Sequence, residues 1–137
     1  MDKKVSLTGI KPTGQVHIGN YLGAIKQALT MSEKYDARYF IADYHALNLV
    51  KNRQELSDST YGVTASWIAS GLNPDKALIY RQSDVPETFE LSTFLMAFTA
   101  KGHMNRATAY KDRIAKNNAN GKDQDHEINM GLYTYPV

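Results

Sequence analysis

Three short apolar runs alternate along this chain with longer stretches of helical period. The runs are Val5 to Thr8, Arg38 to Ala42 and Ala77 to Tyr80. That alternation leaves few folds open. Strands joined by helical crossovers lie parallel in one sheet, and the crossovers cover its faces. The chain is therefore expected in the α/β class, as a parallel sheet with flanking helices. From Asn20 to about Tyr35, Leu22, Ile25 and Leu29 fall on one helical face. Asn52 with Glu55 three residues on reads as a capping box. The helix that follows buries Leu56, Val63 and Trp67 and stops at Gly71, a C-cap glycine. Asp84, Pro86 and Glu87 read as cap, early proline and acidic first turn of another helix, with Leu91, Phe94, Leu95 and Phe98 as its apolar face. Arg38 to Ala42 reads as a buried strand. The polar stretch Lys111 to Asp125 reads as a surface helix end plus a loop.

Composition narrows the class of partner. Hydrophobic residues make up 42% of the 137 and charged residues 22%, which suits a globular core in one domain or part of one. A net charge of +2 excludes a strongly basic nucleic-acid footprint over the whole chain, though not a local one. There is no cysteine, hence no disulfide framework and no thiolate metal site. The first apolar stretch is broken by Gly9 and Pro12, too early for a signal peptide. No run approaches the ~20 apolar residues of a membrane helix. The expected location is the cytoplasm, with no membrane partner.

Ligands of parallel sheets lie at the carboxyl ends of the strands. The polar residues placed there are Thr8 to Gly14, Asp43 to His45, and Gln82 with Ser83. The stretch from Gly9 to Asn20 joins the first strand to the first helix. It has neither the spacing of the dinucleotide fingerprint nor that of a Walker loop. It still suits phosphate: it feeds a helix amino terminus, whose N–H groups and dipole favour anions. His17 can donate a hydrogen bond to a phosphoryl oxygen, Lys11 adds charge, and Gly19 admits a flat ring close to the backbone. The plainer alternative is a tight strand-to-helix turn. Asn20 also reads as a helix cap, and Ser83 as a cap for the next helix. Asp43 and His45 either orient a substrate or make a structural hydrogen bond. They are not read as metal ligands, because no third and fourth ligand follow at suitable spacing.

The segment His17-Ile18-Gly19-Asn20, with the loop before it, resembles the signature of class I aminoacyl-tRNA synthetases, H-I-G-H, in the form of the tryptophanyl-tRNA synthetase family. Four further segments resemble the same family in the same order. Ile41-Ala42-Asp43-Tyr44-His45-Ala46-Leu47 is similar to its I-x-D-x-H-A, and Gln82-Ser83-Asp84-Val85-Pro86-Glu87 to its Q-S-x-V-P-E. Ala109-Tyr110-Lys111-Asp112 is similar to its F-K-D, and Gly131 to Val137 to the segment ahead of its L-M-A-A-D-I-L. Lys11 stands where the family commonly has Gln, and Leu7 where it commonly has Phe.

The resemblance implies a Rossmann-like nucleotide-binding fold, with residues 1–137 as the amino-terminal part of a catalytic domain for ATP and tryptophan. It implies that L-tryptophan is activated with ATP and Mg2+ and passed to tRNA(Trp), in a homodimer. His17, Asn20 and Lys111 would act on the phosphates. Lys11, Pro12, Thr13, Gly19 and Asn20 would hold ATP. Leu7, Thr8, Asp43, His45 and Tyr135 would hold tryptophan, and no residue is assigned to a resident metal. The family's indole-reading Asp, its lysine loop and its tRNA-binding helical domain fall outside this sequence, so the fragment alone is expected to be inactive. The rival readings are a tyrosyl enzyme, a nucleotidyltransferase with a related turn, and a fragment that only folds or dimerises.

Overall fold

Backbone pairing joins the apolar runs into one sheet of three strands, β1 (Val5–Ile10), β2 (Asp36–Ile41) and β3 (Ala77–Arg81), all parallel and in the order β1-β2-β3. The computed structural model describes residues 3–137 and divides into two compact units, Met1–Val85 and Pro86–Val137. The sheet lies in the first.

The central strand was read as buried outright, but it buries one face. Ala37, Tyr39 and Ile41 alternate into the core, while Arg38 between them is exposed and paired to Asp36 at 2.8 Å. The period of two carries this pattern across the register, so Ile10, Ile41 and Tyr39, Ile79 share the core face. On the opposite face Gly9 pairs with Phe40 so closely that a Cβ there would stand 2.5 Å from the ring. Leu7 and Leu78 on that face are exposed.

Between β1 and β2 the helix is made of three pieces: α1 (Ile18–Asn20), a π-helical turn over Tyr21–Ile25, and α2 (Lys26–Ser32). The backbone N–H of Lys26 donates to Tyr21, one residue beyond the α-helical partner. The extra residue shifts the apolar stripe. Tyr21, Ile25, Ala28 and Leu29 pack on the core, and Leu22, expected there, is 56% exposed.

After the short α3 (Asp43–Ala46), α4 (Arg53–Ala69) begins as its sequence requires. Asn52 Oδ1 accepts from the N–H groups of Gln54 and Glu55. It ends in a Schellman motif: Leu72 N–H donates to Trp67 O, Gly71 N–H to Ile68 O, and Gly71 has φ +105°. Leu72 is buried beyond it. Trp67 and Val63 reach the sheet, and the Trp67 ring lies 5.9 Å from that of Tyr39. The Tyr39 hydroxyl donates to Ala28 O at 2.7 Å, tying α2 to β2, and burial raises its pKa.

The second unit is helical: α5 (Glu87–Phe98), α6 (Lys101–Met104), α7 (Thr108–Ala119) and α8 (Met130–Tyr133). Pro86 takes the N-cap position of α5, and Asp84, expected as its cap, bonds Arg81 instead. Leu91, Phe94, Leu95 and Phe98 do form one apolar face, and it is exposed. Asn117 is buried and its amide donates to Gln124 O and His126 O, which folds the following loop back on α7. The Tyr110 and Tyr133 rings meet edge to face at 5.0 Å. Among the described residues no helix is long and apolar enough to cross a membrane.

Candidate functional site at the strand ends

The loop from β1 to α1 is built around a buried proline and a left-handed glycine. Pro12 is fully buried, so its ring anchors the loop and offers no surface to a ligand, unlike the phosphate-lining place expected of it. Gly14 has φ +100°, which favours glycine. Lys11, Thr13 and His17 are exposed, and with Gly14 and Asn20 they line a small cavity of about 100 Å³.

His17 and Asn20 close a reciprocal cap. His17 Nδ1 accepts from the Gly19 N–H at 3.1 Å, and Asn20 Oδ1 accepts from the His17 N–H at 3.0 Å. An imidazole that accepts through Nδ1 carries its proton on Nε2. Asn20, with its oxygen engaged, keeps its amide N–H pair. Both side chains thus commit their acceptors to the helix and retain their donors, which suits an oxyanion. Gly19 serves a ring, but that ring is His17: a Cβ at position 19 would stand 2.9 Å from His17 Cε1.

A second cluster joins the ends of β2 and β3. Asp43 Oδ1 accepts from the backbone N–H groups of Tyr44 and Ser83, each at 3.0 Å, and Oδ2 accepts from the Ser83 hydroxyl. His45 Nδ1 meets Gln82 Oε1 at 2.8 Å. Sequence reading placed these residues at strand ends but did not pair them. The signal was present in their offsets, since Asp43 and Ser83 each stand two positions past the partners Ile41 and Arg81.

Of the remaining expected residues, Leu7 and Thr8 lie on β1 and are exposed, Leu7 at 63%. Lys111, exposed on α7, and Tyr135, partly exposed, belong to the second unit. Tyr135 lines an open groove of about 770 Å³ there with Leu95, His103 and Arg106. Among the described residues no group of three His, Asp or Glu stands where it could hold a metal ion.

Arg81 and Asp84 form an exposed pair that the sequence reading missed, with Arg81 Nη2 and Asp84 Oδ1 2.5 Å apart. The hydrogen bond from the guanidinium, then that from the Arg81 backbone N–H, holds the Asp84 carboxyl below its ordinary range. A depressed folded pKa stabilises the fold above the unfolded value and loses that contribution as pH falls through the folded value. An NMR titration should therefore find Asp84 ionising below the ordinary ~3.9. Arg81→Gln should return the midpoint part of the way, since the backbone N–H stays. An unmoved midpoint would remove the guanidinium as the cause.

With this geometry in hand, comparisons with known proteins agree on one family. The tryptophan–tRNA ligase of Xanthomonas campestris pv. campestris is 49% identical over 133 residues, covering 96% of this chain and 31% of that one. The enzyme of the same description from Neisseria meningitidis serogroup A is 45% identical over 140 residues, covering 100% of this chain and 42% of that one. The chain thus spans less than half the length of these curated relatives. The crystal structure of tryptophanyl-tRNA synthetase from Campylobacter jejuni, complexed with ADP and tryptophan, superposes with a TM-score of 0.80 at 39% identity, over 97% of this chain and 39% of that one. The family described as tRNA synthetases class I (W and Y) matches residues 2–137, and on that match, which runs through both units, the chain belongs to it.

Proposed function

We propose that the chain is the amino-terminal part of the catalytic domain of a tryptophan–tRNA ligase, which activates L-tryptophan with ATP and transfers it to tRNA(Trp). The observation that carries this reading is the His17–Asn20 cap, whose side chains keep donors and commit acceptors. ATP phosphates are the ligand such donors match. Tryptophan rather than tyrosine is supported by the relatives at 45–49% identity, all tryptophan–tRNA ligases, and by the Campylobacter jejuni enzyme that holds ADP and tryptophan.

In the reaction the tryptophan carboxylate attacks the α-phosphorus of ATP, the bond to the β-phosphate bridging oxygen breaks, and pyrophosphate leaves. Such chemistry depends on positioning and charge stabilisation. His17 Nε2–H and the Asn20 amide would hold phosphoryl oxygens, with Lys11, Thr13 and Gly19 beside them, and Lys111 would add charge. Leu7, Thr8, Asp43, His45 and Tyr135 would form the tryptophan side. Magnesium prefers oxygen ligands, and the turn offers N–H groups and a lysine. It therefore fits as a companion of the ATP phosphates, and these residues assign it no step. The exposed apolar face of α5 supports a homodimer, and the reading places the enzyme in the cytoplasm.

Pyrophosphate exchange tests this. In the full-length enzyme, tryptophan should drive exchange and tyrosine should not, while residues 1–137 alone charge no tRNA. Equal or greater exchange with tyrosine overturns the reading.

A further inference from the structure

We propose that the ring of Phe40, seated over Gly9, forms a wall of the amino-acid pocket and selects an aromatic side chain there. The proposal rests on the reading of the chain as part of a tryptophan-activating enzyme, and it adds two residues to that site. Gly9, Phe40 and Tyr80 are partners across the register, so they form one row over the sheet. Each stands one residue before the end of its strand, the end at which parallel sheets hold their ligands. The row lies on the face away from the core. Leu7 lies on that face too, because side chains alternate along β1.

One position of the row has no side chain and the next two have rings. The Phe40 and Tyr80 rings lie 5.9 Å apart, tilted by 37°. From β2 the Phe40 ring reaches over β1: a Cβ at position 9 would stand 2.5 Å from its Cζ and 2.6 Å from its Cε2. A glycine inside a strand weakens the strand, and it marks a place where something comes close to the backbone. Here the Phe40 ring comes close, so Gly9 is its seat and acts as a positioning residue. Phe40 is only half-buried, and Leu7 beside it is 63% exposed. Past Ile10 the same strand feeds the His17–Asn20 turn. A tryptophan whose carboxylate meets phosphate at that turn would lay its indole back along β1, against this row. Aromatic rings favour such offset or tilted contacts, which an aliphatic wall does not supply.

In the full-length enzyme, Phe40→Leu keeps an apolar side chain and removes the ring. In pyrophosphate exchange it should raise KM for tryptophan roughly 3–10-fold, the worth of an aromatic contact beyond its area, while kcat and KM for ATP stay within about twofold. Gly9→Ala puts a Cβ where the ring sits and should raise KM for tryptophan too. In the Phe40→Leu background it should add less, because both changes act on one ring. An unchanged KM for tryptophan in Phe40→Leu overturns the proposal. So does a fall in kcat with an equal rise in KM for ATP, which would mark Phe40 as part of the framework alone. NMR cross-relaxation between the indole protons of bound tryptophan and the Phe40 ring, read in the unaltered enzyme, needs no variant to fold. The signal is expected, and its absence overturns the proposal. If exchange in the unaltered enzyme runs with tyrosine instead, the tryptophan reading fails, whereas KM for tyrosine then tests Phe40 in the same way.

Discussion

Replacing His17 by Ala in the full-length enzyme should lower the rate of adenylate formation by roughly 10²–10³-fold, the usual loss when one preorganised donor to a developing charge is removed. Tryptophan affinity should hardly change, because the interaction strengthens only as charge develops on the phosphate. The structure complicates the substitution in an informative way. His17 also caps the helix, since its Nδ1 accepts from Gly19. Alanine therefore removes two functions, and loss of an N-cap by itself costs about 1 kcal/mol of stability. His17→Asn separates them. A carboxamide oxygen at an N-cap accepts from the same turn, but it does not reach where Nε2 does. Thermal stability should recover in His17→Asn while the slow adenylation remains. If exchange recovers along with stability, His17 acts only as a cap. If His17→Ala stays within a few-fold of the unaltered enzyme, it has no role on the phosphates.

Trp67→Ala should cost about 3–5 kcal/mol of unfolding free energy, the range for deleting a buried aromatic side chain. Domains of this kind have only about 5–15 kcal/mol in all, so the variant should be marginally folded. The ring is 1% exposed, packs on Tyr39, and sits among Ile25, Val63, Leu72 and Ile41 in the single core cluster described for the first unit. Its indole Nε1 has no hydrogen-bond partner among the described residues. A buried donor left unsatisfied costs roughly 1–3 kcal/mol, so Trp67→Phe, which keeps a ring and loses that donor, should cost much less than alanine. Urea unfolding followed by circular dichroism measures both. Intrinsic tryptophan fluorescence would not serve, since Trp67 is the only tryptophan. Equal midpoints for alanine and the unaltered chain would contradict the core described here.

Features set within one turn of chain were legible in the residues themselves. Asn52 caps α4, Gly71 closes it, and the loop through Gly14 to Asn20 leads into a capped helix start, because caps and turns depend on neighbours up to four residues away. Strand and helix alternation likewise needs only local period, and it gave the three parallel strands in their places. Where local pattern met a competing partner, it misled. Asp84 has every mark of a helix cap, yet the Arg81 guanidinium and N–H take its oxygens. Leu22 has the right period for the core, yet the π turn carries it outward and brings Tyr21 in. Pro12 was expected to line phosphate from the loop after β1, yet its ring is inside.

The candidate site divides along the same line. His17 and Asn20 are three residues apart, and one short helix start brings them into contact, so sequence alone determined their pairing. Gln82 with His45, and Ser83 with Asp43, are 37 and 40 residues apart. Only the parallel register of β2 on β3 joins them, and a slip of one residue would turn each side chain to the other face of the sheet. The contact between His45 and Gln82 is therefore a property of that register and not of any segment, because the chain delivers Gln82 from the far end of a crossover.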